Sequence, residues 1–205
     1  MRKDEKVNIA CVIGNGPSRS ELDLHCINAT MYTYGCNAIY RDFIPNYLIS
    51  MDWAIVEEIL TNDIHHRTNF YTQDSAQFNH MSVEKKERIN WLKPMNRRLD
   101  SGNSALEVAL SHDYDVIYMI GFDYNIDDKL PNVYHGTKNY ARNSLVPAAE
   151  SMAREWKQRL RNLIKEYPDT QIIRVNGSYT EMNIEATNYS EITIEQFKEI
   201  YDSRN

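Results

Sequence analysis

Cysteine is scarce in this chain, with only Cys11, Cys26 and Cys36 among 205 residues. An odd count without regular spacing argues against a disulfide framework and against a cysteine zinc site. Cys11 reads as a small buried hydrophobe within a strand. With seven glycines and six prolines, no repeat, low-complexity tract or linker is visible. No apolar run approaches the ~20 residues of a membrane helix. The charged start, MRKDEKVN, lacks the apolar core of a signal peptide. These absences predict a cytoplasmic protein with no membrane partner. Basic excess is missing too. The net charge of −6 argues against an electrostatic grip on nucleic acid. Local basic groups remain at Lys93, Arg97 and Arg98, and at Arg154, Lys157, Arg159 and Arg161.

What is present is ordinary globular material, 42% hydrophobic and 25% charged, long enough for one α/β domain over residues 1–205. Strand and helix signals alternate. Strands are predicted near the start and at Thr30–Cys36, Asn46–Met51, Thr68–Thr72, Val116–Ile120 and Ile172–Val175. Helices are predicted at Trp53–Leu60, Val83–Trp91, Ser104–Ser111, Ser144–Tyr167 and Ile194–Tyr201. Such alternation predicts a single Rossmann-like domain: a mostly parallel sheet, helices on both faces and a lid loop at about Phe122–Asn143. Fourteen tyrosines are many, and several fall in loops, where a phenol can bond a phosphate.

The stretch Val7–Ser18 carries the strongest signal. An apolar run stops at Gly14-Asn15-Gly16-Pro17-Ser18. Gly14 and Gly16 allow unusual dihedrals and close approach to a ligand, so Gly16→Val is expected to block binding with the fold intact. The dinucleotide fingerprint and the P-loop are both absent. Each later strand end also carries polar groups: Asn37, then Ser50 and Asp52, then Gly121 and Asp123. Ser101, Gly102 and Asn103 open a helix, whose free N–H groups favour an anion. One such group is an ordinary cap. Five on one sheet edge predict a ligand crevice. His135, between Tyr134 and Gly136 with Lys138 nearby, is the candidate general base. His65, His66, His80 and His112 receive no role. Asp123, Asp127 and Asp128 form an acidic loop able to hold Mg²⁺ or to serve as a polar surface turn.

These motifs occur in order: IGNGPS, Gly-Cys-Asn after the second strand, SGNSALEVAL at a helix start and YMIGFDY at a strand end. In that order, over Asn8 to Asn143, the chain resembles the bacterial sialyltransferases of glycosyltransferase family 42. It also resembles the MptE-like proteins, which include archaeal 6-hydroxymethylpterin diphosphokinases. The first resemblance implies that Asn15, Gly16 and Ser18 hold the nucleotide phosphate and ribose, and that Asn37 bonds the phosphate. Ser101 and Gly102 then approach from the other half of the sheet. Tyr124 and Tyr134 stabilise the leaving phosphate, and His135 deprotonates the acceptor. No metal is required, and a CMP-sugar is the donor. The loop is shorter than in those enzymes, with thirteen residues between Gly121 and His135, and the histidine precedes its glycine.

Three functions follow. The first is a metal-independent, nucleotide-sugar-dependent glycosyltransferase. The second is an ATP- and Mg²⁺-dependent pyrophosphokinase with the metal on Asp123 or Asp127. The third, favoured by the short lid, is a non-catalytic nucleotide-binding protein. The acceptor and the oligomeric state, a homo-oligomer included, stay open.

Overall fold

The computed structural model describes residues 7–92, 100–124, 132–140, 149–176 and 182–203. Five apolar residues form β1, Ile9–Ile13, and all five are buried. Ile9, Cys11 and Ile13 pack into one hydrophobic cluster, Ala10 and Val12 into another. Burial on both faces marks the centre of a parallel sheet covered by helices on each side.

From β1 the chain moves outward through α1 (Leu24–Thr30), β2 (Tyr32–Cys36), β3 (Tyr47–Ile49), α2 (Trp53–Thr61), β4 (Asn69–Gln73), α3 (Val83–Glu87) and β5 (Ile89–Leu92). It returns through α4 (Ser101–Leu110) to the other flank of β1. There it continues as β6 (Val116–Ile120), α5 (Ala149–Glu166), β7 (Gln171–Asn176), β8 (Tyr189–Thr193) and α6 (Ile194–Asp202). The strand order is β5-β4-β3-β2-β1-β6-β7-β8, an open sheet with every pairing parallel. This is the expected Rossmann-like α/β fold.

Apolar residues of α1, α2 and α6, among them Ile27, Ile59 and Phe197, cover one face. Leu106 and Ala109 of α4, with Leu160 and Ile164 of α5, cover the other. Caps fix where several helices begin. Asp23 accepts the His25 and Cys26 N–H groups, and Thr193 forms a reciprocal capping box with Gln196. The growth direction of the sheet reverses between β1 and β6. In open α/β sheets the crevice outside the strands' carboxyl ends at such a reversal is where ligands bind.

The structure differs from the sequence expectation at the sheet edges. The predicted Val83–Trp91 helix stops at Glu87, and Ile89–Leu92 pairs with β4 as an edge strand. β8 was not expected at all. Its sequence, YSEIT, has one aliphatic residue, because an edge strand buries little. Part of the Gln73–His80 loop is a 3₁₀ turn, Ala76–His80. The expected start of the long helix at Ser144 lies outside the described residues, as do Lys93, Arg97, Arg98, Asp127 and Asp128. Among the described residues no helix is long and apolar enough to cross a membrane.

Candidate functional site

At the switch point two turns press together. The Gly14 N–H donates to the Ile120 carbonyl at 2.8 Å, and the Gly16 N–H to the Gly121 carbonyl at 2.9 Å. A Cβ at Gly14 would lie 2.5 Å from the Gly121 oxygen. One at Gly16 would lie 2.5 Å from Asp123 Oδ2 and 2.6 Å from the Gly121 oxygen. Gly121 itself has φ +69°, a conformation glycine adopts without penalty. The two glycines of the β1 turn therefore permit turn-to-turn contact. That corrects the expectation for Gly16→Val: the added side chain collides with protein, so the junction is disturbed along with any binding.

Polar bonds lock this junction. The Ser18 N–H donates to Asp123 Oδ2 at 3.0 Å, and its hydroxyl donates to Asp123 Oδ1. Both residues are buried. From β7 the fully buried Arg174 donates through Nε to the Phe122 carbonyl at 2.8 Å and through Nη2 to the Asp123 carbonyl at 3.3 Å. Glu191 of β8 pairs with its Nη1 at 3.0 Å. Asp123 is thus occupied on both oxygens by Ser18, which leaves it poorly placed as the Mg²⁺ ligand of the pyrophosphokinase reading.

The ends of β2 and β3 meet the start of α4. Asn37, at φ +52°, accepts through Oδ1 from the Ser50 hydroxyl at 2.9 Å and the Ser101 hydroxyl at 2.8 Å. Its amide donates to Asp52 at 3.0 Å, and Ser101 Oγ accepts the Met51 N–H at 3.0 Å. Asp100 caps α4, accepting the Asn103 N–H at 2.7 Å and the Asn103 side-chain amide at 2.7 Å. Gly102 packs against Phe122. Surrounding protein crowds the Asp100 carboxylate, and this desolvation pushes its pKa up. Asp52 is also raised, first by desolvation and then by the charge of Asp100, although the residue keeps an exposed face. An anion at the α4 N-terminus meets these carboxylates as well as free N–H groups.

The segment 132–140 is docked. The Val133 N–H donates to the Asn15 carbonyl at 2.9 Å. Arg41 reaches the Thr137 hydroxyl at 2.8 Å and the Lys138 carbonyl at 3.0 Å while chelating Glu58. Asn139 donates to Glu58 Oε2 at 3.0 Å, and the Tyr40 hydroxyl donates to Oε1. Burial favours protonating Glu58, but Tyr40 and Arg41 outweigh it and hold the carboxyl below its usual range. The Tyr134 hydroxyl donates to Asp42 at 2.8 Å and accepts from Arg19 Nη2 at 2.8 Å. That phenol is committed to the ion pair of buried Arg19 with exposed Asp42, so the structure gives it no free hydrogen for a leaving phosphate. The half-buried His135 ring has no hydrogen bond among the described residues.

Several buried polar atoms at this edge have no hydrogen-bond partner among the described residues: Asn15 Oδ1, Arg19 Nε, Asn103 Oδ1, and the hydroxyls of Tyr124 and Tyr140. Burial raises both phenol pKa values, Tyr124 with a further push from Asp100 and Tyr140 from Cys36 and Asp52. The Cys36 thiol, pushed up to about 12 chiefly by burial, also feels Asp100, Arg19 and Asp52. Cys36 thus lies within electrostatic reach of Asp100, Arg19 and Asp52, Tyr124 within reach of Asp100, and Tyr140 within reach of Cys36 and Asp52. A cavity of about 550 Å³ lies farther along the edge, lined by Asn176, Tyr189, Glu191 and Glu21. It contains none of the unpartnered atoms, so chemistry rather than volume marks the switch point. A second, of about 310 Å³, is lined in part by Arg19, Asp42 and Val133.

The structure therefore gathers Gly14, Asn15, Gly16, Ser18, Asn37, Asp52, Ser101, Gly102, Asn103, Asp123 and Tyr124 along one sheet edge, with Tyr134 and His135 on the segment docked beside Asn15. Sequence reasoning missed Arg19, Asp100, Tyr140 and Arg174. Only Arg174 carried a local signal, a charge inside the apolar run IIRVN. Comparison with family models, with curated proteins and with solved structures finds no match to the chain.

Proposed function

We propose that the chain binds a nucleotide across the β1/β6 switch point and acts as a nucleotide-sugar-dependent glycosyltransferase, with a CMP-linked acidic sugar as donor. The observation that supports the reading is that five buried polar atoms without a hydrogen-bond partner among the described residues belong to segments at this one edge of the sheet. Buried polar groups are normally satisfied, and a ligand rich in hydroxyls and phosphate oxygens supplies the missing partners. In this reading His135 takes the proton from the acceptor hydroxyl. The acceptor oxygen then bonds to the anomeric carbon as the bond from that carbon to the phosphate oxygen breaks. Tyr124 and Tyr140, whose hydroxyls have no partner in good hydrogen-bond geometry among the described residues although the Ala38 backbone lies near that of Tyr140, donate to the departing phosphate in place of the committed Tyr134. Cys11, Cys26 and Cys36 form no disulfide, in keeping with a reducing, cytoplasmic setting.

One observation favours the pyrophosphokinase reading. Asp52 and Asp100 stand within electrostatic reach of each other with raised pKa values, an arrangement that a divalent cation relieves.

The test is a thermal-shift screen over CMP, CDP, UDP, GDP, ADP and ATP with and without Mg²⁺. A nucleotide at a hundred times its Kd adds about 2.7 kcal/mol. A shift with cytidine nucleotides in the absence of metal is expected. With the donor found, His135→Ala should cost about 10²–10⁴-fold in turnover and leave nucleotide affinity within a few-fold. Stabilisation by ATP and Mg²⁺ alone replaces glycosyl transfer with pyrophosphoryl transfer, and near-normal turnover of the alanine variant removes His135 as the base.

A further inference from the structure

A second cluster lies at the opposite edge of the sheet, where α2 ends and the chain turns into β4. There a 3₁₀ turn, Ile64–His66, follows Asp63. One ligand-capable atom from each of Asp63, His65 and His66 lies within 4.8 Å of the others. His66 Nε2 is 4.0 Å from Asp63 Oδ1, and the two imidazole centroids are 4.0 Å apart.

His65 makes the cluster more than a surface coincidence. It is 2% exposed, yet neither ring nitrogen has a hydrogen-bond partner among the described residues. The Ile59 carbonyl sits near the ring and favours its protonated form, but outside good hydrogen-bond geometry. Leaving two imidazole nitrogens buried and unsatisfied is costly. Desolvation, with His66 adding to it, lowers the His65 pKa and so favours the neutral, metal-binding ring.

We propose that Asp63, His65 and His66 bind a divalent transition-metal ion, zinc by the chemistry of the donors, with water in the fourth position. Two imidazoles and one carboxylate suit Zn²⁺. In a tetrahedral site with bonds of about 2.0–2.2 Å, ligand atoms stand roughly 3.3–3.5 Å apart. Closing the cluster thus needs small side-chain rotations. Asp63 and His66 are exposed, which gives the ion a way in and leaves room for the water. The buried His65 anchors the ion to the α2–β4 connection. Its other ring nitrogen is left to the Ile59 carbonyl, the kind of outer partner that orients metal-bound histidines. This site is independent of the nucleotide reading.

The experiment is zinc titration of the full chain by calorimetry after treatment with chelator. It uses His66→Ala and Asp63→Asn as variants. Asp63 has φ +54°, and asparagine tolerates this left-handed conformation as well as aspartate does. His65→Ala is avoided, because it opens a hole in buried structure. Far-UV CD in chelator establishes that both variants fold. One zinc per chain is expected. Loss of a direct ligand should weaken binding by more than the roughly 10–100-fold that loss of an outer partner costs. Weakening in both variants supports the site. No stoichiometric binding to the native chain, or native affinity retained in either variant, overturns it.

Discussion

Ser18 and Asp123 are 105 residues apart in the chain, yet Ser18 gives the Asp123 carboxylate both its backbone N–H and its hydroxyl. This contact joins the turn after β1 to the turn after β6 across the switch point. Gly16 sits directly beneath it. Its absent Cβ is what lets the Asp123 carboxylate pass. Gly16→Ala should therefore destabilise the protein by about 1–3 kcal/mol through overpacking. Urea unfolding reads the loss. The clash is inside the protein, so stability and nucleotide affinity should fall together. An unchanged unfolding midpoint with lost binding would mean that the glycine faces the ligand instead.

Asp100→Asn separates the two chemistries proposed for the site. Asparagine still caps α4, so the helix should hold. Raised carboxylate pKa values in the folded chain mean that the charged forms oppose folding. The penalty develops as pH rises from the unfolded value, 3.8, through the folded one. The variant should be as stable as the native chain or more so at neutral pH. If the nucleotide binds without metal, removing this charge should tighten its affinity. Weaker binding that depends on Mg²⁺ would point to pyrophosphoryl transfer.

Glu58 ties the segment 132–140 to α2, and its carboxyl is held below the usual value of 4.5 despite the opposing effect of burial. Because the folded pKa is the lower one, the docking contributes in full above about pH 4.5 and fades as pH falls through the folded value. Corrected for the intrinsic pH dependence of amide exchange, hydrogen exchange at Gly136 and Thr137 should accelerate in that acidic range in the native chain. In Glu58→Gln it should be fast already at neutral pH. Equal protection at pH 7 in both proteins would rule out the clamp.

The centre of the fold was legible because its strands are buried on both faces. IACVI and VIYMI leave no other reading, and each stops at a glycine turn. The edges were not. Ile89–Leu92 follows a charged helical pattern without a break, and Tyr189–Thr193 lacks an apolar run because one flank has no neighbour among the described residues. The site was legible as a row of strand ends, which depends only on local sequence. Its wiring was not. That Tyr134 serves Arg19 and Asp42, or that Glu58 holds Asn139, depends on pairs 81–115 residues apart. Asp100 was hidden by its neighbours, since Ser101 and Asn103 are equally good caps by residue type.

The reversal of sheet growth at β1 also governs the order in which the protein can be built. During synthesis β1 emerges first and gains β2 at once, but its other flank waits until Val116–Ile120 has left the ribosome. Until then the central strand of the finished sheet is an edge strand, with open N–H and C=O groups of the kind that invite wrong partners. The long wait also gives the fold its non-local character, and contacts of that kind slow folding. The junction of the β1 and β6 turns therefore cannot form until more than half of the chain has been made. A nascent chain that stalls before β6 carries Asn15, Ser18, Asn37, Asp52, Ser101 and Asn103 but none of the junction through which Asp123 holds the β1 turn in place.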